Sequence, residues 1–222
     1  RPPVARSPRA TSCSASMADR AAALLLDLDG TLVDSEGFHR QVFRSWLAQR
    51  GWSVDEEVLA AFTGRRADDV FAAEPGPWVG EDIATMMAEL LGHMAALPRP
   101  ELAPGAADLI GSATVPLALV TSATPDWART CLGGLLDRFD VVVTREEVTD
   151  GKPHPEPYAL ACSLLGLAPA ECVAVEDAPA GVASAVAAGV GLVVGVSGTF
   201  PAADLAEAHR VVGGLAEVGP LL

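Results

Sequence analysis

From Ala21 onward, short runs of apolar residues alternate with stretches in which apolar positions return every three or four residues. The runs are Ala22 to Leu28, Val115 to Thr121, Phe139 to Val143, Cys172 to Glu176, Gly191 to Val196 and His209 to Val212. Most of them are apolar at successive positions rather than at every second one, the pattern of strands that bury both faces. Between the later runs lie helical patterns over Thr124 to Leu136, Pro155 to Leu165 and Ala178 to Ala188. Strand, helix, strand, helix in this order predicts an α/β fold: a doubly wound, Rossmann-like parallel sheet with ligands at the carboxyl ends of its strands.

One interval breaks the alternation. About 85 residues separate the first run from the second, far too many for a single crossover helix. They carry helical patterns of their own, over Glu36 to Gln49, Val54 to Ala61, Ala67 to Ala73 and Gly80 to Leu97. An inserted α-helical cap is therefore expected, leaving through "LPRPELAPG" (Leu97 to Gly105), where three prolines suppress helix. The expected division is a core of residues 19–32 and 101–222, a cap of residues 33–100, and a disordered segment over 1–18. Within that segment "RPPVARSPRATSCSAS" has no apolar periodicity and no acidic residue, and it lacks the apolar centre of a signal peptide. Because the cap departs directly after the first strand, it should lie over that strand's end.

Composition narrows the partners. A formal charge of −14 disfavours nucleic acid and anionic membrane, both of which require basic surfaces. No apolar stretch approaches the length of a membrane span. Cys13, Cys131, Cys162 and Cys172 stand singly, without a CxxC pair, which fits free thiols in a cytoplasmic protein. Fourteen of the fifteen basic residues are arginine, so the single lysine, Lys152, draws notice.

The chemistry concentrates at strand ends. "ALLLDLDGTLVDS" places Asp27 and Asp29 two residues apart, hence on one face if the strand continues that far, followed by Gly30 for a sharp turn and Thr31 to tie it down. Two carboxylates this close repel unless a cation or a shared proton intervenes, and sparse oxygen ligands suit Mg²⁺. "CVAVEDAPAG" brings Glu176 and Asp177 to another strand end, either as metal ligands or as acids at a helix start. "LVTSATPDW" puts Thr121, Ser122 and Ala123 before a helix, as an anion site or an ordinary cap. "DGKPHPEPY" holds Lys152 between Gly151 and Pro153.

These four segments, in this order, resemble the motifs of the haloacid dehalogenase-like phosphohydrolases over about Ala21 to Phe200. "GKPHPEPY", "VEDAPAG" and the helical insertion resemble the group containing beta-phosphoglucomutase and the small sugar-phosphate and glycerol-phosphate phosphatases. The resemblance implies Asp27 as nucleophile, forming an aspartyl-phosphate, and Asp29 as general acid/base. It implies Lys152 and Mg²⁺ on the transferring phosphoryl group and Thr121, Ser122 and Ala123 around the phosphate. It assigns the metal to Asp27, Asp29, Asp177 and Glu176, the Asp29 share through its backbone carbonyl. It also implies a small-molecule phosphomonoester as substrate and a monomeric, cytoplasmic enzyme.

Substrate choice is expected in the cap, at Arg65 and Arg66 of "FTGRRADDV" and at His39 on the first cap helix. The mutases are expected to carry an arginine near Ala67 and a lysine in the cap, and this cap has no lysine. The leading expectation is thus an Mg²⁺-dependent phosphatase of a small sugar or polyol phosphate. The alternatives are a phosphosugar mutase and a non-catalytic phosphate-binding module on the same fold.

Overall fold

The computed structural model of the chain describes residues 21–62 and 65–221. The segment expected to be disordered, and Thr63 and Gly64 of the cap loop, lie outside the described residues. Six parallel strands form one sheet: β1 (Ala23–Leu26), β2 (Leu117–Val120), β3 (Val141–Val143), β4 (Cys172–Glu176), β5 (Leu192–Val196) and β6 (Arg210–Val212). Their order is β3-β2-β1-β4-β5-β6. The chain therefore builds outward from β1 on one side, returns, and continues from β1 on the other. The ends of β1, β2 and β4 meet at this reversal, where loops diverge and leave a crevice.

The apolar runs bury both faces by simple alternation. Leu24 and Leu26 of β1, Leu117 and Leu119 of β2, and Val173 and Val175 of β4 enter one cluster with Ile110, Ala128 and Leu132. Ala23, Leu25, Ala118, Val120 and Ala174 enter the other, with Tyr158, Ala161, Val182 and Ala185. The first cluster is covered by α5 (Ala106–Ser112) and α6 (Pro125–Leu132), the second by α7 (Glu156–Leu165) and α8 (Pro179–Ala187). Helix α5 has no counterpart among the expected elements. It is seven residues long, too short for its period to stand out, and it follows the proline-rich exit. The helix expected to reach Leu136 stops at Leu132 and continues as a 3₁₀ turn over Gly133–Arg138, Gly133 taking φ +53°.

Between β1 and β2 stand α1 (Glu36–Arg50), α2 (Glu56–Ala60), α3 (Ala67–Ala73) and α4 (Ile83–Ala95). They pack around a separate apolar cluster of Trp46, Phe62, Phe71, Trp78, Met86 and Leu90, among others. The segments entering and leaving this insertion run side by side: Val33 bridges Leu102, and the Asp34 amide donates to Glu101 O at 3.0 Å. The insertion is thus tethered directly beside the end of β1. Among the described residues no helix is long and apolar enough to cross a membrane.

Candidate active site

Strand β1 ends at Leu26, and the chain then turns instead of extending the strand. The Asp27 amide still donates to Val175 O of β4 at 3.1 Å, but the Leu32 and Val33 amides both fold back onto Leu28 O. Gly30 at the turn has φ +83°, and a Cβ there would sit 1.9 Å from Asp177 Oδ2. Glycine is required at this position on both counts.

The turn separates the two aspartates. Asp27 joins Glu176 and Asp177 in a buried cluster whose carboxylate oxygens lie within 4.8 Å of one another. Asp29 does not join: its Oδ1 accepts from Trp127 Nε1 at 2.9 Å and lies 3.7 Å from His39 Nε2. Both residues still face the crevice where they were expected, but strand alternation is not what places them there. Alternation stops where the strand stops.

Lys152 reaches into the cluster from the loop before α7. Its ammonium donates to Asp27 Oδ1 at 2.6 Å, Glu176 Oε1 at 2.6 Å and Val120 O at 2.9 Å. Burial alone would lower the Lys152 ammonium, but Asp27 and Glu176 outweigh it and hold it above its ordinary value. Glu176 Oε1 also accepts from Tyr158 OH at 2.6 Å, so this residue grips the lysine and the tyrosine together. Its carboxylate packs so tightly against Gly181 that a Cβ there would lie 2.0 Å away. Neither Glu176 nor Asp177 caps α8, whose N-cap is Ala178.

Three buried carboxylates thus cluster around one ammonium that bonds two of them. Burial, then Glu176, push Asp27 well above the usual carboxylate range despite Lys152. The same two causes push Asp177 up to about 7. Asp177 Oδ1 accepts from Thr31 Oγ1 at 3.3 Å, whereas Oδ2 is buried with no hydrogen-bond partner among the described residues. An orphaned carboxylate oxygen, an all-oxygen donor set and more acids than bases fit a hard divalent cation.

Above the cluster, a cavity of about 180 Å³ opens between the sheet end and the insertion. Thr121, Ser122 and Ala123 line it from the end of β2. Thr121 Oγ1 accepts from the Ala123 amide at 3.1 Å, so that amide is engaged within the loop. Thr124 and Pro125 start α6, Thr124 Oγ1 capping the Trp127 amide at 3.2 Å.

The cap arginines divide. Arg65 lines the cavity and pairs with Glu74 at 3.0 Å. Arg66 is buried, and its guanidinium donates to three carbonyls of the core loop: Thr149 at 3.2 Å, Arg145 at 2.9 Å and Val148 at 3.0 Å. It latches the insertion to the loop that leads to Lys152. Its two terminal nitrogens are spent on backbone, which makes it a latch first, while its Nε is buried with no hydrogen-bond partner among the described residues and Arg66 also lines the cavity. Trp127 and Tyr158, by contrast, join the site without having been expected from the sequence. Tyr158 is the protein's single tyrosine, six residues after Lys152, one faint signal that could have marked it.

A doubly wound sheet with a carboxylate cluster and a lysine at its reversal, under a helical insertion, defines a class of hydrolase built on a Rossmann-like fold. The family model of haloacid dehalogenase-like hydrolases matches residues 21–189, and the chain belongs to that family. It is 37% identical over 201 residues to validoxylamine A 7'-phosphate phosphatase from Streptomyces hygroscopicus subsp. limoneus, covering 87% of this chain and 94% of that protein. It is 41% identical over 179 residues to hexitol phosphatase A from Escherichia coli (strain K12), covering 77% and 81%. The crystal structure of CbbY from Rhodobacter sphaeroides in complex with phosphate superimposes with a TM-score of 0.76 at 29% identity, covering 90% of this chain and 96% of that chain. A beta-phosphoglucomutase from Clostridium difficile shares the fold, with a TM-score of 0.75 at 21% identity and coverage of 90% and 96%.

Proposed function

We propose that the chain, a phosphoric monoester hydrolase, is an Mg²⁺-dependent phosphatase of a small sugar or polyol phosphomonoester and works through an aspartyl-phosphate on Asp27. The observation that carries this reading is the Asp27 carboxylate, held by Lys152 at 2.6 Å inside the cluster with Glu176 and Asp177 and lining the cavity. The names of the two curated relatives, a hexitol phosphatase and a phosphatase of validoxylamine A 7'-phosphate, support the substrate class.

Asp27 and Asp177, with Glu176 behind them, would hold the Mg²⁺. When bound, the ion neutralises phosphoryl oxygens and lowers the cost of bringing a dianion to an acidic pocket. Asp27 attacks phosphorus as the bond to the leaving oxygen breaks, and Asp29 supplies the proton that oxygen needs. Water then attacks the acyl phosphate, Asp29 takes its proton back, and Asp27 is restored as phosphate leaves. Lys152 keeps Asp27 oriented and offsets charge on the transferring group. Ser122 lines the same cavity and would meet that group with its hydroxyl.

A phosphate-release screen across sugar, polyol and cyclitol monophosphates with Mg²⁺ tests the proposal. Turnover is expected for a subset, lost on chelation with EDTA and reduced by roughly four orders of magnitude or more in Asp27→Asn. Activity that survives either change would overturn it. Isomerisation without phosphate release, dependent on a sugar bisphosphate, would reassign the chain to the mutases.

A further inference from the structure

Asp29 is held by a residue to which the motif resemblance assigns no role. Trp127, near the start of α6, donates its indole N–H to Asp29 Oδ1 at 2.9 Å. The same oxygen is 3.7 Å from His39 Nε2, beyond hydrogen-bond distance. Asp29 Oδ2 has no protein donor among the described residues, and Asp29 lines the cavity. One oxygen is thus tied and the other left for a ligand.

The tryptophan is itself fixed from two directions. Its backbone N–H is capped by Thr124 Oγ1 at 3.2 Å, and Pro125 stiffens the helix start. Its ring stacks on Phe38 of α1, centroids 5.0 Å apart and planes at 27°, with the His39 ring at 5.6 Å. Core helix and insertion therefore clamp the indole between them, and a rigid donor costs little to reorganise during reaction. Asp29 sits on a turn with its side chain only partly buried, so without this donor the carboxylate has rotamers to choose from.

Resting on the proposed function, we infer that Trp127 is a positioning residue for Asp29 in the proton transfer to the leaving oxygen. In that step Asp27 bonds to phosphorus, the bond from phosphorus to the alcohol oxygen breaks, and the proton passes from Asp29 to that oxygen. The negative charge left on Asp29 appears beside the indole N–H. A donor aimed at charge that develops during the reaction stabilises the transition state more than the ground state.

The need for that proton depends on the leaving group, which separates positioning from packing. p-Nitrophenyl phosphate releases an anion stable by itself, whereas benzyl phosphate, similar in size and shape, releases an alkoxide that must be protonated. Comparing kcat/KM for the two esters with Mg²⁺ reports the steps through alcohol release and leaves out later hydrolysis of the acyl phosphate. In Trp127→Phe, which keeps a ring against Phe38, the p-nitrophenyl to benzyl ratio of kcat/KM is expected to rise about ten- to a hundredfold, the worth of a hydrogen bond to a charged group. Replacing Trp127 by 3-benzothienylalanine, a near-isostere without the N–H, should raise the ratio equally. It serves as the deciding variant if Trp127→Phe does not fold. A ratio unchanged from wild type, whether both esters slow together or neither does, overturns the inference and leaves the phosphatase reading intact. Wild-type protein that releases phosphate neither from these esters nor from any monophosphate of the screen overturns both.

Discussion

Lys152 and Arg50 each meet two carboxylates, yet they stand in opposite physical settings. Arg50, on the outer side of the insertion, donates to Glu81 at 2.8 Å and to Glu89 at 2.8 and 3.0 Å, and its guanidinium lies 4.9 Å from the Trp52 ring centroid. Glu81 and Glu89 remain 44% and 32% exposed, so water solvates whatever charge is unpaired. Lys152 is 2% exposed, and its partners Asp27 and Glu176 are 8% and 1% exposed. With Asp177 beside them, the acids there outnumber the base in a place almost withdrawn from solvent. Exposed pairs of the first kind contribute little and are easily exchanged. A buried, unbalanced cluster costs stability unless something else binds, so the burial of the charge, more than its pairing, marks the functional end of the molecule.

The sharpest way to break this contrast is to remove the base. Lys152→Met should lower kcat at least tenfold through lost stabilisation of transferring charge. It should also destabilise the fold by about 3–5 kcal/mol, because three buried carboxylates lose their only ammonium. Kinetics and a melting temperature equal to wild type would return Lys152 to the status of Arg50.

Metal and pH sharpen it next. Asp177 titrates near 7 in the folded protein, and Asp27 is raised too, whereas both fall near 4 when unfolded. The folded state then binds more protons than the unfolded one between those values, so stability falls as pH rises through the window and the destabilisation is complete above the folded value. If the proposed function holds, Mg²⁺ would bind the ionised carboxylates and offset that loss. Its melting-temperature increment should be large at pH 8 and small at pH 5, where protons compete. Equal increments at the two pH values would disconnect the cluster from the metal.

Arg66 offers an intermediate case, buried like Lys152 but paired only with backbone. Arg66→Met leaves carbonyls of Arg145, Val148 and Thr149 short of a donor, at a cost of about 1–3 kcal/mol. Because the latch joins the insertion to the core rather than touching the reacting atoms, KM should rise more than kcat falls. A fall confined to kcat would put Arg66 among the substrate-binding groups. The smallest effect is expected for Arg50→Met, with kcat/KM within about twofold of wild type and no change in the pH dependence of stability. A larger loss would mean that the outer face of the insertion communicates with the cavity.

The parts of the molecule legible in the sequence are those with a strong period or a strict order. Residues Cys172 to Glu176 could be nothing but a buried strand, and four polar segments at successive strand ends pointed to one pocket. Helix α5 escaped because seven residues do not span enough turns to show an amphipathic face. Trp127 escaped because its partner, Asp29, is 98 positions away, and a tryptophan on a helix beside apolar neighbours reads as packing.

Local pattern was sufficient for the sheet and the helical insertion, which depend on where a run of apolar residues stops. The order of four segments and their resemblance to a family were needed to expect Asp27, Lys152, Glu176 and Asp177 in one pocket. The fates of Asp29, Ala123, Arg65 and Arg66 were settled only by the folded chain. Adjacent arginines look identical in sequence, yet one pairs with Glu74 at the cavity and the other fills a ring of carbonyls. The direction of a side chain depends on which distant donor or acceptor the fold brings within 3 Å, and no periodicity along the chain records that distance.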